Sequence, residues 1–342
     1  MDGTMIKIGI EQTQIVVGND PPELDLFAAK ELQRYFYLLS GVNVRVESTA
    51  TNKNPLIIVG NPTTNSNYRA LGLNNNWPDV NVTTQGIVLK SLMDHDRPTW
   101  LIGGGSPVAT LWAVYEFVEQ LGIRFLLSGD VLPDTDEPPI LPKLDCHMEP
   151  ALHERIWRVM NDEPHGPEMW SLNECQRVID QLTKMKINGI YFNTYPSHPF
   201  VHYEFRGVKK TTATLDFGFK YPVDNETVGR DIFGDVKEFI NPEFQHCDTY
   251  DEWVQAGQKY AHSVFKYAKS KGMKVGMGFS LIDVPTEFKV RFHEWETDKH
   301  KTKQDSGPVY FSRMGVVTVG TPPNSNGFQD VNNPALLELS EL

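Results

Sequence analysis

Apolar residues recur along the first third of the chain in two rhythms. Short apolar runs at residues 6–10, 14–17, 42–46, 56–59, 86–89 and 99–102 predict strands. Between them, residues 22–39 carry a helical apolar period that Gly41 stops. A second helix follows the triplet Gly103, Gly104, Gly105, with Val108, Leu111, Val114, Tyr115 and Val118 on one stripe. The triplet has neither the Lys and Ser/Thr of a Walker loop nor glycines spaced as in a dinucleotide fingerprint. Ser106 suits an N-cap and Pro107 the first helical position, so the triplet reads as a hinge that launches a helix.

Residues 134–150, with Pro138, Pro139, Pro142 and Pro150, break the pattern and read as an interdomain linker. Three domain segments follow from this: an accessory α/β domain at 1–133, the linker at 134–150, and a different grammar over 151–342. There, strands at 155–160, 187–195 and 273–280 alternate with helices opened by the capping boxes Ser171/Glu174 and Thr249/Glu252. A further helix is expected after Asn333 and Pro334. The helix-to-strand links are tight, whereas the strand-to-helix loops, 196–248 and 283–333, are very long. That asymmetry is what an enzymatic (β/α)8 barrel requires, because its site is built from the loops at one end. Three of the eight strands are expected here, so the barrel is read as truncated, its C-terminal remainder being an expected partner.

A formal net charge of −12 argues against a nucleic-acid backbone as partner, since such binding rests on clustered Lys and Arg. Cys146, Cys175 and Cys247 have no C-x-x-C spacing, and no H-E-x-x-H occurs, so neither a metal nor another cofactor is expected. No apolar run is long enough to span a bilayer. The opening MDGTMIKIGI lacks a signal-peptide pattern, which places the chain in the cytoplasm as written, or in the periplasm or medium if an N-terminal segment is missing.

The candidate chemistry lies at the strand ends. Arg155, Trp157, Asn161, Asp162 and Glu163 follow or lie on the first strand of the second segment, and Asn193, Tyr195 and His198 end the next. Fixed donors and acceptors interleaved with aromatics suit a sugar, whose C–H faces stack on rings while its hydroxyls need partners. Asp162 and Glu163 are the acid/base candidates, although adjacent strand residues point to opposite faces and do not converge on one bond without a bend. His198 and His202 have an i, i+4 spacing, but Pro199 between them opposes the helix a metal pair would need. No catalytic residue is assigned. The expected function is O-glycosidic bond hydrolysis, with a non-catalytic carbohydrate-binding protein as the alternative.

The stretches AAKELQRYFYLLSG, GIVLKSL and TWLIGGGSPVATLWAVYEFVEQLGIRFLLSGDVLP resemble the α/β domain that precedes the barrel in α-glucuronidase-like and β-hexosaminidase-like glycoside hydrolases. EPALHERIWRVMNDE and VIDQLTKMKINGIYFNTYPSHP are similar to the start of their barrels. The resemblance implies a zincin-like (hexosaminidase domain 2-like) α/β first domain followed by the TIM barrel. It also implies a substrate containing glucuronate or hexosamine. Pro150 and Arg155 match the spacing of a barrel-entry proline and a sugar-binding arginine, while Asn161, Asp162 and Glu163 look like the α-glucuronidase version. In such families the general acid lies near the end of a later strand than those predicted here.

Overall fold

The computed structural model describes residues 8–50, 54–78, 81–135, 137, 139–159, 170–214, 217–218, 220–227, 230, 234–279, 283–288, 309–311 and 316–319. The chain divides into two compact units. Unit 1 comprises residues 1–155 together with 178–188 and 270–273; unit 2 comprises 156–177, 189–269 and 274–342.

Unit 1 is built on a six-stranded sheet of order β2-β1-β3-β5-β4-β8. Its strands are β1 (Gln14–Val16), β2 (Val46–Glu47), β3 (Leu56–Val59), β4 (Ile87–Asp94), β5 (Arg97–Gly104) and β8 (Asp145–Met148). The pairs β1–β2, β1–β3 and β3–β5 are parallel, while β4 runs antiparallel to both β5 and β8. A separate hairpin joins β6 (Arg124–Leu126) to β7 (Gly129–Val131). Strand alternation sends Ile15, Ile57 and Val59 into the larger core, which they share with Ala28, Leu32 and Phe36 of α1 (Glu23–Ser40) and Leu111, Val114 and Phe117 of α3 (Pro107–Gln120). Their neighbours Val16, Leu56, Ile58 and Leu101 face the other way, where Tyr68 of the four-residue α2 (Asn67–Ala70) covers them.

Three details depart from the sequence reading. Residues 10–12 form a 3-10 turn rather than the end of a strand, and only Val46–Glu47 of the expected 42–46 strand pairs. The stretch read as a linker contributes β8 to the sheet edge, with Cys146 opposite Leu89 and Met148 opposite Ile87. Proline density marked its loops correctly but hid the four-residue alternation Asp145–Met148 between them.

Gly103 and Gly104 are buried and Gly105 is half-buried, each against other parts of the protein. A side chain at Gly103 would strike the Gly60 carbonyl, at Gly104 the side chain of Ala109, and at Gly105 the Thr83 carbonyl. Ser106 caps α3, accepting from Ala109 N–H at 3.3 Å while donating to the Thr84 carbonyl at 2.5 Å. The loop after β3 then ties the parallel strand ends together. Asn61 donates to Gly104 O at 2.7 Å, and Asn65 donates to both Val16 O (3.1 Å) and Val59 O (2.9 Å). The crevice beyond the carboxyl ends, where open α/β sheets usually bind ligands, is filled by these amides.

Residues 178–188, which include the second half of α4 (Leu172–Lys184), belong to unit 1 through a polar network. The Lys184 ammonium lies 2.8 Å from the Asp130 carboxylate, which also accepts from Tyr35 and Gln181. Burial opposes the charge of Asp130, but these partners hold its carboxyl below the ordinary aspartate value.

Unit 2 contains a three-stranded sheet of order β15-β10-β9, formed by β9 (Ile156–Val159), β10 (Gly189–Thr194) and β15 (Lys274–Phe279). Both pairings are parallel. Both predicted capping boxes form: Glu174 N–H donates to Ser171 Oγ at 3.2 Å while Ser171 N–H donates to the Glu174 carboxylate at 2.7 Å, and Thr249 and Glu252 reciprocate likewise at the start of α5 (Tyr250–Ser270). The loop 196–248 holds two small hairpins, β11 (Glu204–Phe205) with β12 (Val208–Lys209) and β13 (Tyr221–Pro222) with β14 (Glu238–Phe239). Beyond β15, β16 (Asp283–Pro285), β17 (Val309–Phe311) and β18 (Val316–Val319) form a further antiparallel sheet. The helix expected after Asn333 lies outside the described residues.

Ser106→Ala removes one cap and is expected to cost about 1 kcal/mol in urea unfolding. Gly103→Ala forces apart two packed backbones and is expected to cost several times more, about 3 kcal/mol or above. Equal, small effects of both would show that the triplet is not held in this packing.

Candidate functional site

Register decides which side chains share a face of the unit 2 sheet. Tyr191 on β10 pairs with Arg158 on β9 and Gly276 on β15, and Asn193 pairs with Gly278. These residues therefore point the same way. The opposite face carries Trp157, Ile190, Phe192 and Thr194, with the Phe192 ring edge-on to Phe265 of α5 at 5.4 Å. The helix-covered face is thus apolar, and the other is polar and aromatic.

On that second face the Arg158 guanidinium donates to Asn193 Oδ1 at 3.1 Å. Among the described residues it has no carboxylate within ion-pairing distance. Tyr191 lies across the two glycines of β15; a Cβ at Gly278 would sit 2.6 Å from the Tyr191 hydroxyl. The absence of side chains at Gly276 and Gly278 lets the ring lie flat along the sheet and carries its hydroxyl toward the C-terminal strand ends. Tyr195 follows the end of β10, partly buried. The arrangement offers a charged fork, an amide, a phenol and aromatic surface within one patch, which suits a polyhydroxylated ligand.

The sequence-derived candidates separate into groups. Asn193 and Tyr195 lie at the C-terminal end of β10. Trp157 faces the opposite way from Asn193, on the helix-covered side, with its indole N–H buried and without a partner. Arg155 lies one residue before β9, in unit 1, and its fork is engaged by protein: Nε donates to Lys186 O at 2.7 Å, and one terminal nitrogen to Gln85 Oε1 (2.9 Å) and Leu152 O (2.6 Å). The guanidinium also lies over the Trp112 ring at 5.0 Å. Asn161, Asp162 and Glu163 lie outside the described residues. Sequence reasoning missed Arg158 and Tyr191. Counting back by two from Asn193 gives Tyr191, but Arg158 emerges only once β9 and β10 are put in register.

His198 is 1% exposed and sits in an aromatic cluster with Phe200 and Phe217. Its Nδ1 accepts from Tyr195 N–H at 3.2 Å, closing the turn after β10. Lys210, also 1% exposed, donates to His198 O at 2.6 Å and Val201 O at 2.8 Å. Burial pushes its pKa down to about 8, against the opposing pull of Glu287. Glu287 accepts from Thr211 and Thr212 N–H at 2.6 and 2.8 Å; burial works against its charge, yet these bonds hold its carboxyl below the ordinary value. Phe288 packs against Tyr203 at 5.4 Å, so the segments following β10 and β15 are joined. Thr194 Oγ1, at the end of β10, and Ser197 Oγ, just beyond it, are buried without hydrogen-bond partners among the described residues. Among the described residues no group of three His, Cys, Asp or Glu is placed to hold a metal ion, and no helix is long and apolar enough to cross a membrane.

No protein family's sequence profile matches the chain, and no curated protein matches it. Among solved structures it is similar to a GH138 enzyme targeting pectin rhamnogalacturonan II, with a TM-score of 0.44 and 11% identity over 82% of this chain and 26% of that one. It is also similar to a family GH115 4-O-methyl-α-glucuronidase with specificity for decorated arabinogalactans, with a TM-score of 0.40 and 11% identity over 80% of this chain and 42% of that one. A third is the GH20 β-N-acetylhexosaminidase from Streptomyces coelicolor A3(2), with a TM-score of 0.37 and 12% identity over 79% and 42%. The chain spans less than half the length of each of these proteins.

Because Nε and one terminal nitrogen of Arg155 are engaged by protein acceptors, Arg155→Ala is expected to destabilise unit 1 by roughly 2–4 kcal/mol, leaving the Lys186 and Leu152 carbonyls without their charged partner. Denaturant unfolding checks this, and a change below about 0.5 kcal/mol would show those bonds to be dispensable.

Proposed function

We propose that unit 2 supplies the first strands of a carbohydrate-active (β/α)8 barrel, and that the whole protein hydrolyses O-glycosidic bonds in glycans containing glucuronate or hexosamine. The observation that carries this reading is the polar and aromatic face on which Arg158, Tyr191 and Asn193 meet. It belongs to three parallel strands, and the described part of the long segment after β10 is folded into two hairpins. In a closed barrel such a face points inward, and the loops at the carboxyl ends build the site.

In this reading the Arg158 fork binds adjacent sugar oxygens or a carboxylate, and Asn193 both orients Arg158 and donates its amide to a hydroxyl. The rings of Tyr191 and Tyr195 take the C–H face of the sugar. Trp157 and His198 then support the site from behind, through the helix-covered face and the turn after β10. Asn161, Asp162 and Glu163, which follow β9 in the chain, supply further polar contacts. Protonation of the leaving oxygen falls to a carboxylic acid on a later strand, as the family resemblance implies.

The test is kinetic. In the full-length protein, Arg158→Ala and Asn193→Ala are each expected to lower kcat/KM on aryl-glycosides or glucuronate-decorated oligosaccharides by on the order of tenfold or more, with folding intact. Wild-type kinetics in both folded variants would remove this face from the site. Binding of the same oligosaccharides without turnover by the full-length protein would favour a non-catalytic carbohydrate-binding role.

A further inference from the structure

Asp25 occupies the first turn of α1 and is 0% exposed. Neither of its carboxyl oxygens has a hydrogen-bond partner. A carboxylate at the third helical position ordinarily reaches back to the N–H of the N-cap, but the N-cap here is Pro22, which has none. The side chain turns inward instead, toward the loops after β3 and β5. One oxygen approaches Gly60 closely enough that a Cβ there would lie 3.2 Å from it.

The groups around this carboxyl come from three elements. On the β3 loop, the Thr64 hydroxyl already accepts from Asn61 N–H at 3.1 Å; on α3, the Thr110 hydroxyl accepts from Gly104 N–H at 3.3 Å. Both hydroxyls act on Asp25, though neither closes a bond of ordinary geometry to it. The titratable group facing it is Tyr68, wholly buried, whose hydroxyl donates to Gly60 O at 3.2 Å. No cationic side chain acts on it among the described residues. The N-terminal end of α1 favours a negative charge modestly, whereas complete burial without a partner disfavours one strongly. Each threonine oxygen already accepts a backbone N–H and keeps its own proton toward the carboxyl, so the two hydroxyls favour the charged form, and burial outweighs them.

We propose that Asp25 is a buried neutral carboxylic acid where α1 packs on the loop after β3 and on α3, making unit 1 a pH-sensitive element that is firmest in acid. Burial raises the carboxyl above its ordinary value, with Thr64 and Thr110 opposing. The folded chain therefore holds a proton that the unfolded chain releases. Stability is fully present below the ordinary aspartate range and falls as pH rises through the folded value.

The experiment is urea unfolding of the 342-residue chain from about pH 3 to about pH 8, beside Asp25→Asn, which keeps the shape and cannot ionise. The variant is expected to gain on wild type by up to about tenfold in folding equilibrium constant for each pH unit across the ionisation window. A wild-type-to-variant difference that does not change with pH overturns the proposal. So does stabilisation of wild type, but not the variant, by Na⁺ or K⁺ over choline at equal ionic strength, which would put a cation where we place a proton. Should the variant fail to fold, the Asp25 carboxyl carbon in wild type decides by NMR. A titration midpoint above the ordinary aspartate range supports the proposal, and one at or below that range overturns it.

Discussion

The in-register parallel pairing of β9, β10 and β15 is the constraint on which the candidate site depends. Side chains on a strand alternate between faces, so a slip of one residue would exchange every functional group for its neighbour. In the observed register Arg158, Tyr191 and Asn193 share one face, and Ile190 and Phe192 the other. The hydrophobic set enforces this choice. Moving Phe192 out from the cover of α5 would expose an aromatic ring and bury Asn193, each unfavourable by itself. The polar face is therefore held in place by the apolar one.

Unit 1 shows the same layered logic with its ligand crevice closed. Its parallel strands β1, β3 and β5 end together and precede helices or a glycine-rich turn, an arrangement that in open α/β sheets usually binds a ligand. Here the carboxamides of Asn61 and Asn65 occupy the strand-end carbonyls, and the Gly103 to Gly105 turn is roofed by backbone from Gly60 and Thr83. Glycine is required at these positions for close approach of protein to protein. The lack of a Walker or dinucleotide pattern in the sequence and the closed packing in the fold have one cause: no space remains for a phosphate.

What the sequence disclosed follows the range of the interactions. Local devices were legible: the Ser106 cap, both reciprocal capping boxes and the Gly41 stop are settled within four residues, and each forms as read. The strands β1, β3 and β10 were legible from their apolar runs. Hidden were the features that need a distant partner. The strand β8 is recognisable only beside β4, because four residues of weak alternation between prolines carry little signal alone. Arg158 and Tyr191 needed the β9–β10 register, and the engagement of Arg155 needed Gln85, seventy positions away in the chain. The long loop 196–248, with its His198, His202 and Tyr203, proves to be folded around Lys210 and Phe217.

That last point bears on how a site of this kind works. A long connection that orders only on binding loses part of its interaction energy to the entropy of ordering. Lys210 limits this loss by holding two carbonyls of the turn after β10, and Glu287 does so by receiving two N–H groups of the strand-like segment that follows. Neither contact involves a ligand, so both are in place beforehand. The buried ammonium is the costly member, since burial lowers its affinity for the proton and the carbonyls must offset that. A hydrophobic residue in its place could not satisfy two inward-turned carbonyls at once. The turn carrying Tyr195 is thereby fixed relative to Asn193, at the end of the strand that carries the polar face.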